Sequence, residues 1–144
     1  MGHSAVQEAA RAEREKAKPA QTVMVAEDYE ETRHMLKLAL ELEGYRVLEA
    51  DNGRDACEMA RRLRPDLIVM DLTLPVLDGF AATRRIREEE GLRDVPIIAV
   101  TAHGTPEYRH KALAAGFSEY LTKPVDVNRL GRVIKSLLRE GGGG

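Results

Sequence analysis

Leu67-Ile68-Val69-Met70-Asp71 sets four consecutive apolar side chains directly before a carboxylate. An unbroken apolar run of that length suits a strand covered on both faces, the usual situation in a parallel sheet. Three other stretches have the same form. Thr22-Val23-Met24-Val25-Ala26 leads into Glu27-Asp28, Ile97-Ile98-Ala99-Val100 into Thr101, and Tyr120-Leu121-Thr122 into Lys123-Pro124. Arg46-Val47-Leu48-Glu49-Ala50 mixes charge into its pattern and reads as an edge strand. As parallel neighbours, these runs bring Glu27, Asp28, Asp71, Thr101 and Lys123 to one edge of one sheet.

Helical patterns lie between the runs. Leu36 and Leu40 are one turn apart before Gly44, a suitable C-cap. Ala56, Met59, Ala60 and Leu63 keep i, i+3, i+4, i+7 spacing before Pro65. Val127, Leu130, Ile134 and Leu137 follow the same rule after Asp126, a good N-cap. The segment 106–115 starts at Pro106 and has a weaker stripe, which predicts a short, less firmly packed helix. Five strand–helix repeats with short connections imply right-handed crossovers and an open, doubly wound α/β sheet. Ligands in such sheets bind beyond the carboxyl ends of the strands, near a topological switch point.

The chain has 144 residues, enough for one domain with a real core. Hydrophobic residues make up 43% and charged residues 32%, as in ordinary globular proteins. A formal net charge of −2 gives no basic field for nucleic acid. The lone Cys57 excludes an intramolecular disulfide and fits a reducing cytosol, and its apolar-flanked helical setting reads as packing. No apolar run approaches the roughly 20 residues of a membrane helix, and Val6 stands where a myristoylation motif wants Ser or Thr. These features read as a cytoplasmic protein without a membrane partner. Residues 1–20 read as a flexible or partly helical extension, 21–139 as the folded domain and 140–144 as a flexible Gly tail.

Asp71 is the candidate nucleophile. A carboxylate held at a strand end can attack a phosphoryl group and form an aspartyl phosphate. Asp28 and Glu27 add oxygen ligands beside it, and Mg²⁺ favours such oxygen donors while keeping several waters. Like charges about 4 Å apart repel by about 4 kcal/mol at an effective dielectric near 20, so the cluster demands a cation. Lys123 neutralises phosphate oxygens as a point charge, and the Thr101 hydroxyl donates a hydrogen bond to one. Each residue alone has an ordinary reading, as a helix cap or a solvated charge. Their conjunction at one sheet edge does not.

These residues resemble the receiver domains of two-component response regulators. The matches are Glu27-Asp28, Asp71-Leu72-Thr73-Leu74-Pro75-Val76-Leu77-Asp78-Gly79, Thr101-Ala102 and Lys123-Pro124, spread over about 120 residues. The resemblance implies a flavodoxin-like (βα)5 sandwich with five parallel strands in the order 2-1-3-4-5. It implies that Asp71 accepts a phosphoryl group from a histidine kinase or histidine phosphotransfer protein. Mg²⁺, with Mn²⁺ as an alternative, would be held by Asp28, Asp71 and the Thr73 backbone carbonyl, with Glu27 acting through water. Thr101 and Lys123 would bind the phosphoryl oxygens, and Lys123-Pro124 would be a cis peptide. Tyr120 falls at the family's switch aromatic. Thr101 would move toward the phosphate, Tyr120 would follow, and the surface of the fourth helix, fifth strand and fifth helix would change. Thr73 and His103 occupy positions that modulate phosphoryl lifetime.

Glu27 departs mildly from the commoner Asp. Tyr120 also reads as a half-buried strand aromatic, and His103 as an exposed loop residue. His3, His34 and His110 have no metal-ligand spacing. Gly79 reads as a tight-turn residue and Asp78 as its hydrogen-bonding neighbour. The expected protein is a signalling phosphoacceptor rather than an enzyme, monomeric or dimerising on phosphorylation, with its downstream protein unspecified. A receiver module belonging to a larger hybrid kinase or regulator is the alternative. An aspartate-nucleophile phosphatase of the haloacid dehalogenase type would carry a second Asp two residues after the first, where this chain has Thr73.

Overall fold

In the computed structural model, residues 5–7 and 20–142 are described, with side-chain surroundings as far as 139. Most of the extension expected over 1–20, and the end of the Gly tail, lie outside the described residues. From Thr22 onward, the described residues form five strands alternating with five helices. They are β1 (Thr22–Ala26), α1 (Glu30–Leu42), β2 (Arg46–Ala50), α2 (Gly53–Leu63), β3 (Leu67–Asp71), α3 (Gly79–Glu88), β4 (Ile97–Thr101), α4 (Pro106–Ala114), β5 (Glu119–Thr122) and α5 (Val127–Gly142). All strand pairs are parallel and the order is β2-β1-β3-β4-β5, with β2 at an edge as its charged pattern requires.

Alternate strand residues divide between two cores, the period of two expected of a pleated sheet. Met24, Ala26, Ile68, Met70, Ile97 and Ala99 pack with Ala56 and Ala60 of α2, Ala82 and Ile86 of α3 and Ala112 of α4. Val23, Val25, Leu67, Val69, Ile98 and Val100 pack with Leu36 and Leu40 of α1 and Leu130 and Ile134 of α5. Helices therefore cover both faces, which is why the central strands are continuously apolar.

Several local signals act as their chemistry dictates. Gly44 adopts φ +97° just beyond α1, a conformation that costs glycine little. Asn52, Asp78 and Thr105 accept hydrogen bonds from backbone N–H groups in the first turns of α2, α3 and α4. Asp126 accepts from the N–H groups of Asn128 and Arg129 at the start of α5. Leu63 departs from its expected core role and is exposed at the last position of α2, whereas Ala60 one turn earlier is buried. The helix over 106–114 is weakly anchored, with Ala112 its one buried residue.

Ile134 is fully buried between α5 and the sheet, whereas Leu113 on α4 is exposed. Ile134→Ala is expected to lower stability by about 2–5 kcal/mol through lost burial and a residual cavity. Leu113→Ala should change it by less than about 0.5 kcal/mol. Urea unfolding of both variants checks the difference.

Candidate functional site

The order of strands reverses between β1 and β3, and the carboxyl ends of these two strands carry the acidic residues. Carboxylate oxygens of Glu27, Asp28 and Asp71 all lie within 4.8 Å of one another. Glu27 is 2% exposed and Asp71 3%, while Asp28 is open to solvent. Lys123, at the end of β5, reaches across with its Nζ 2.6 Å from Glu27 Oε1 and 2.8 Å from Asp71 Oδ2. One ammonium thus bridges two buried carboxylates.

The protonation preferences follow from this crowding. Burial, together with a hydrogen bond to Asp71, pushes the Glu27 carboxyl up to about 7, against the pull of Lys123. Burial also pushes Asp71 upward, but hydrogen bonds from Glu27, Lys123 and the Thr73 backbone prevail and hold it below the ordinary carboxylate range. Burial disfavours the Lys123 ammonium, yet its bonds to Asp71 and Glu27 outweigh that and raise its pKa. The charge therefore concentrates on Asp71 and Lys123, with Glu27 holding the most basic carboxyl.

Thr73 does more than offer a carbonyl. Its N–H and its Oγ1 both donate to Asp71 Oδ1, at 2.9 and 3.0 Å, so each carboxylate oxygen of Asp71 has a fixed partner. A D-x-T sequence is a known signal for such a side-chain turn, and this role was readable but not read. The same hydrogen bonds occupy the position where a haloacid dehalogenase would place its general acid. Arg33 is a second unread contributor. Its guanidinium donates to the Glu27 carbonyl at 3.0 Å and to Glu49 at 3.3 Å, tying the acidic loop to β2.

Gly79 proves to serve close approach rather than a tight turn. It is the first residue of α3, and a Cβ there would lie 2.4 Å from the Asp71 carbonyl oxygen and 2.8 Å from Leu72 Cα. Thr101 is buried at the end of β4. Its hydroxyl accepts the His103 N–H at 3.1 Å and its carbonyl accepts the Lys123 N–H at 2.7 Å. Lys123-Pro124 is cis. Tyr120 is 6% exposed, and its buried hydroxyl has no hydrogen-bond partner among the described residues. Burial first, and then nearby Tyr108, raise its pKa. His103 is exposed and its ring lies 4.7 Å from that of Tyr108. Cys57 is half-buried, with its Sγ 3.5 Å from the Ala82 carbonyl, in keeping with a packing role. Among the described residues no helix is long and apolar enough to cross a membrane.

An all-oxygen acidic cluster fits a hard divalent ion and suits neither thiophilic metals nor an organic cofactor. The acidic pair at the switch point thus faces the Asp71 carboxylate at the next strand end and the Lys123 ammonium reaching over from β5. The chain belongs to the response regulator receiver domain family, whose model matches residues 23–135. It is thus a two-component signalling domain. It is 36% identical over 117 residues to the polar-differentiation response regulator DivK of Brucella anthropi, an alignment covering 81% of this chain and 95% of that one. Among solved structures it resembles the receiver domain of sensor histidine kinase PA1611 from Pseudomonas aeruginosa PAO1, which has a magnesium ion coordinated in its active-site cleft. That match has 39% identity, a TM-score of 0.78, and coverage of 83% of this chain and 98% of that one. The chemotaxis response regulator CheY4 of Vibrio cholerae matches with 28% identity, a TM-score of 0.79 and coverage of 83% and 99%.

Metal-free protein carries a pH signature of this site. Folded Glu27 keeps its proton up to about pH 7, whereas an ordinary glutamate loses it near 4.5. The native state therefore binds more protons within that window, and this group's contribution to stability falls as pH rises through it. Glu27→Gln should flatten the slope between pH 4.5 and about 7 in chelator-treated protein, measured by urea unfolding. A slope identical to wild type would contradict the assignment.

Proposed function

We propose that this protein is a phosphoryl-accepting response regulator in which Asp71 takes a phosphoryl group from a phosphohistidine. The observation that carries this reading is the bridging of Glu27 and Asp71 by Lys123, with Asp28 alongside. An Asp71 carboxylate oxygen forms the new P–O bond. The P–N bond breaks, and its electron pair remains on the donor imidazole. Lys123 is already placed against the attacking carboxylate, where it neutralises charge on the transferred oxygens. Asp28, Asp71 and the Thr73 backbone carbonyl would hold a divalent cation, with Glu27 acting through water. Mg²⁺, or Mn²⁺ in its place, supplies neutralisation of the phosphoryl oxygens when bound.

The donor is a histidine kinase or a histidine phosphotransfer protein, the partners that receiver domains take. Thr101 contributes a hydroxyl to the phosphoryl group, and Tyr120 responds to its movement. Thr73 and His103 flank the site and set how long the phosphoryl group survives. Output passes through protein contacts on the face of α4, β5 and α5, as a monomer or a phosphorylation-dependent dimer. The likeness to a receiver within a sensor kinase also supports a second reading, in which the same chemistry serves as one module of a longer protein.

Incubation with Mg²⁺ and acetyl phosphate should add one phosphoryl group to the wild type, detected by intact mass. Asp71→Asn should gain none, and Lys123→Ala should label about 10²-fold more slowly. Wild type that takes no phosphoryl group, or Asp71→Asn that labels as well as wild type, would overturn the reading.

A further inference from the structure

The seven residues that join β3 to α3 are pinned at three places. At the start, Thr73 holds Asp71 through two hydrogen bonds. At the base, the Gly79 N–H donates to the Leu72 carbonyl at 3.0 Å. The third pin comes from a distant part of the chain. The Pro75 carbonyl accepts the Leu77 N–H at 2.8 Å and also the Gly53 N–H, from the first residue of α2, at 3.2 Å. Between Pro75 and Leu77, Val76 sits at φ +69°, a region that a β-branched residue enters only when its surroundings force it. Val76 is 72% exposed, so its own packing does not supply that force.

Gly53 does. A Cβ on this residue would lie 1.7 Å from the Leu77 carbonyl oxygen and 2.6 Å from its carbonyl carbon. Ordinary carbon–oxygen contacts are about 3.3–3.6 Å, so any side chain here must push the loop backbone by more than about 1 Å. The start of α2 is itself held in place. Asn52 Oδ1 accepts the Asp55 N–H at 2.8 Å, and its Nδ2 donates to Asp51 and Asp55 at 2.8 and 2.9 Å. The helix terminus thus presents the Gly53 N–H to the Pro75 carbonyl with its dipole favourably directed.

We propose that Gly53 is a positioning residue for the cation and phosphoryl site, setting the Thr73 carbonyl relative to Asp71 through Pro75 and Leu77. This rests on the reading of the Thr73 carbonyl as a metal ligand. Thr73 lies between the Asp71 pin and the Gly53 pin, so moving one end of the span moves the carbonyl. Mg²⁺ tolerates little departure from its preferred geometry, which makes its affinity the sensitive measurement. A residue that served stability alone would alter unfolding and leave magnesium binding untouched.

The test titrates full-length Gly53→Ala with Mg²⁺ by calorimetry and follows labelling by acetyl phosphate as a function of Mg²⁺. The half-saturating Mg²⁺ concentration is expected to rise about tenfold or more. The labelling rate at saturating Mg²⁺ should fall far less. Asn52→Ala is the second variant, because it releases the aim of α2 without adding atoms against the loop. It should also raise half-saturating Mg²⁺, by about three- to tenfold, whereas Asn52→Ser keeps a capping oxygen and should restore near wild-type affinity. A folded Gly53→Ala that binds Mg²⁺ as tightly as wild type overturns the proposal. So does an Asn52→Ala variant of unchanged affinity, should Gly53→Ala fail to fold. Failure of the wider reading looks different, since wild type itself would then neither bind Mg²⁺ nor take the phosphoryl group.

Discussion

Lys123 is the single cation shared by two carboxylates that the fold has taken out of water, Glu27 and Asp71. Removing Lys123 leaves the Asp71 carboxylate buried without its counter-charge, a loss of about 3–5 kcal/mol for a buried pair. Much of the architecture serves to make this contact hold. Glu27 directly follows β1, Asp71 ends β3 and Lys123 directly follows β5, so three strands must lie parallel with their ends level. β4 sets the remaining spacing, because the Thr101 carbonyl accepts the Lys123 N–H and fixes where the lysine stem begins. Helices on both faces keep water from the strands and let the charged groups meet at one edge only. The site is therefore a consequence of sheet register as much as of the residues that compose it.

That dependence explains why so much was legible in the sequence. Burial on both faces forces long apolar runs, and each run ends where the sheet meets solvent. Reading the runs thus located Glu27, Asp28, Asp71, Thr101 and Lys123 together, and the charged pattern of Arg46–Ala50 placed β2 at an edge. The features that escaped are of another kind. Gly79 looked like a turn residue, but its lack of a side chain admits the Asp71 carbonyl and Leu72 at short range. Arg33 reaches the Glu27 carbonyl and Glu49 from α1. Gly53 meets a loop more than twenty residues away. Such contacts depend on distances between backbones that pass each other, and no periodicity or spacing encodes them. Thr73 is the intermediate case, since the D-x-T pattern is local and was available to be read.

Stiffness is distributed unevenly around the site. The loop from Leu72 to Asp78 is tied at its start, tip and base, and it even sustains a valine at positive φ. The neighbouring side, beyond β4, is built differently. α4 buries only Ala112 and relies on an edge-on contact of Tyr108 with Phe80, centroids 5.8 Å apart, and on the tilted stack of His103 with Tyr108. Elements with so few buried apolar contacts open at low cost compared with the core.

Tyr120 stands at the boundary between these two regimes. Its buried hydroxyl has no hydrogen-bond partner among the described residues, and its ring lies on β5 next to α4. The proposed link to the chemistry is short. Drawing the Thr101 hydroxyl toward a phosphoryl group on Asp71 removes the acceptor of the His103 N–H, and His103 is one of the rings that steadies Tyr108 on α4. One hydrogen bond and one ring stack thus connect the rigid side of the site to its loosest helix. A signal needs two states of similar energy, and in the proposed readout the lightly packed α4 beside Tyr120 is the element that would supply them. Asp71 is held by Thr73 and Lys123, whereas α4 buries only Ala112, so the proposed transfer sits on the rigid side and its proposed readout on the loose one.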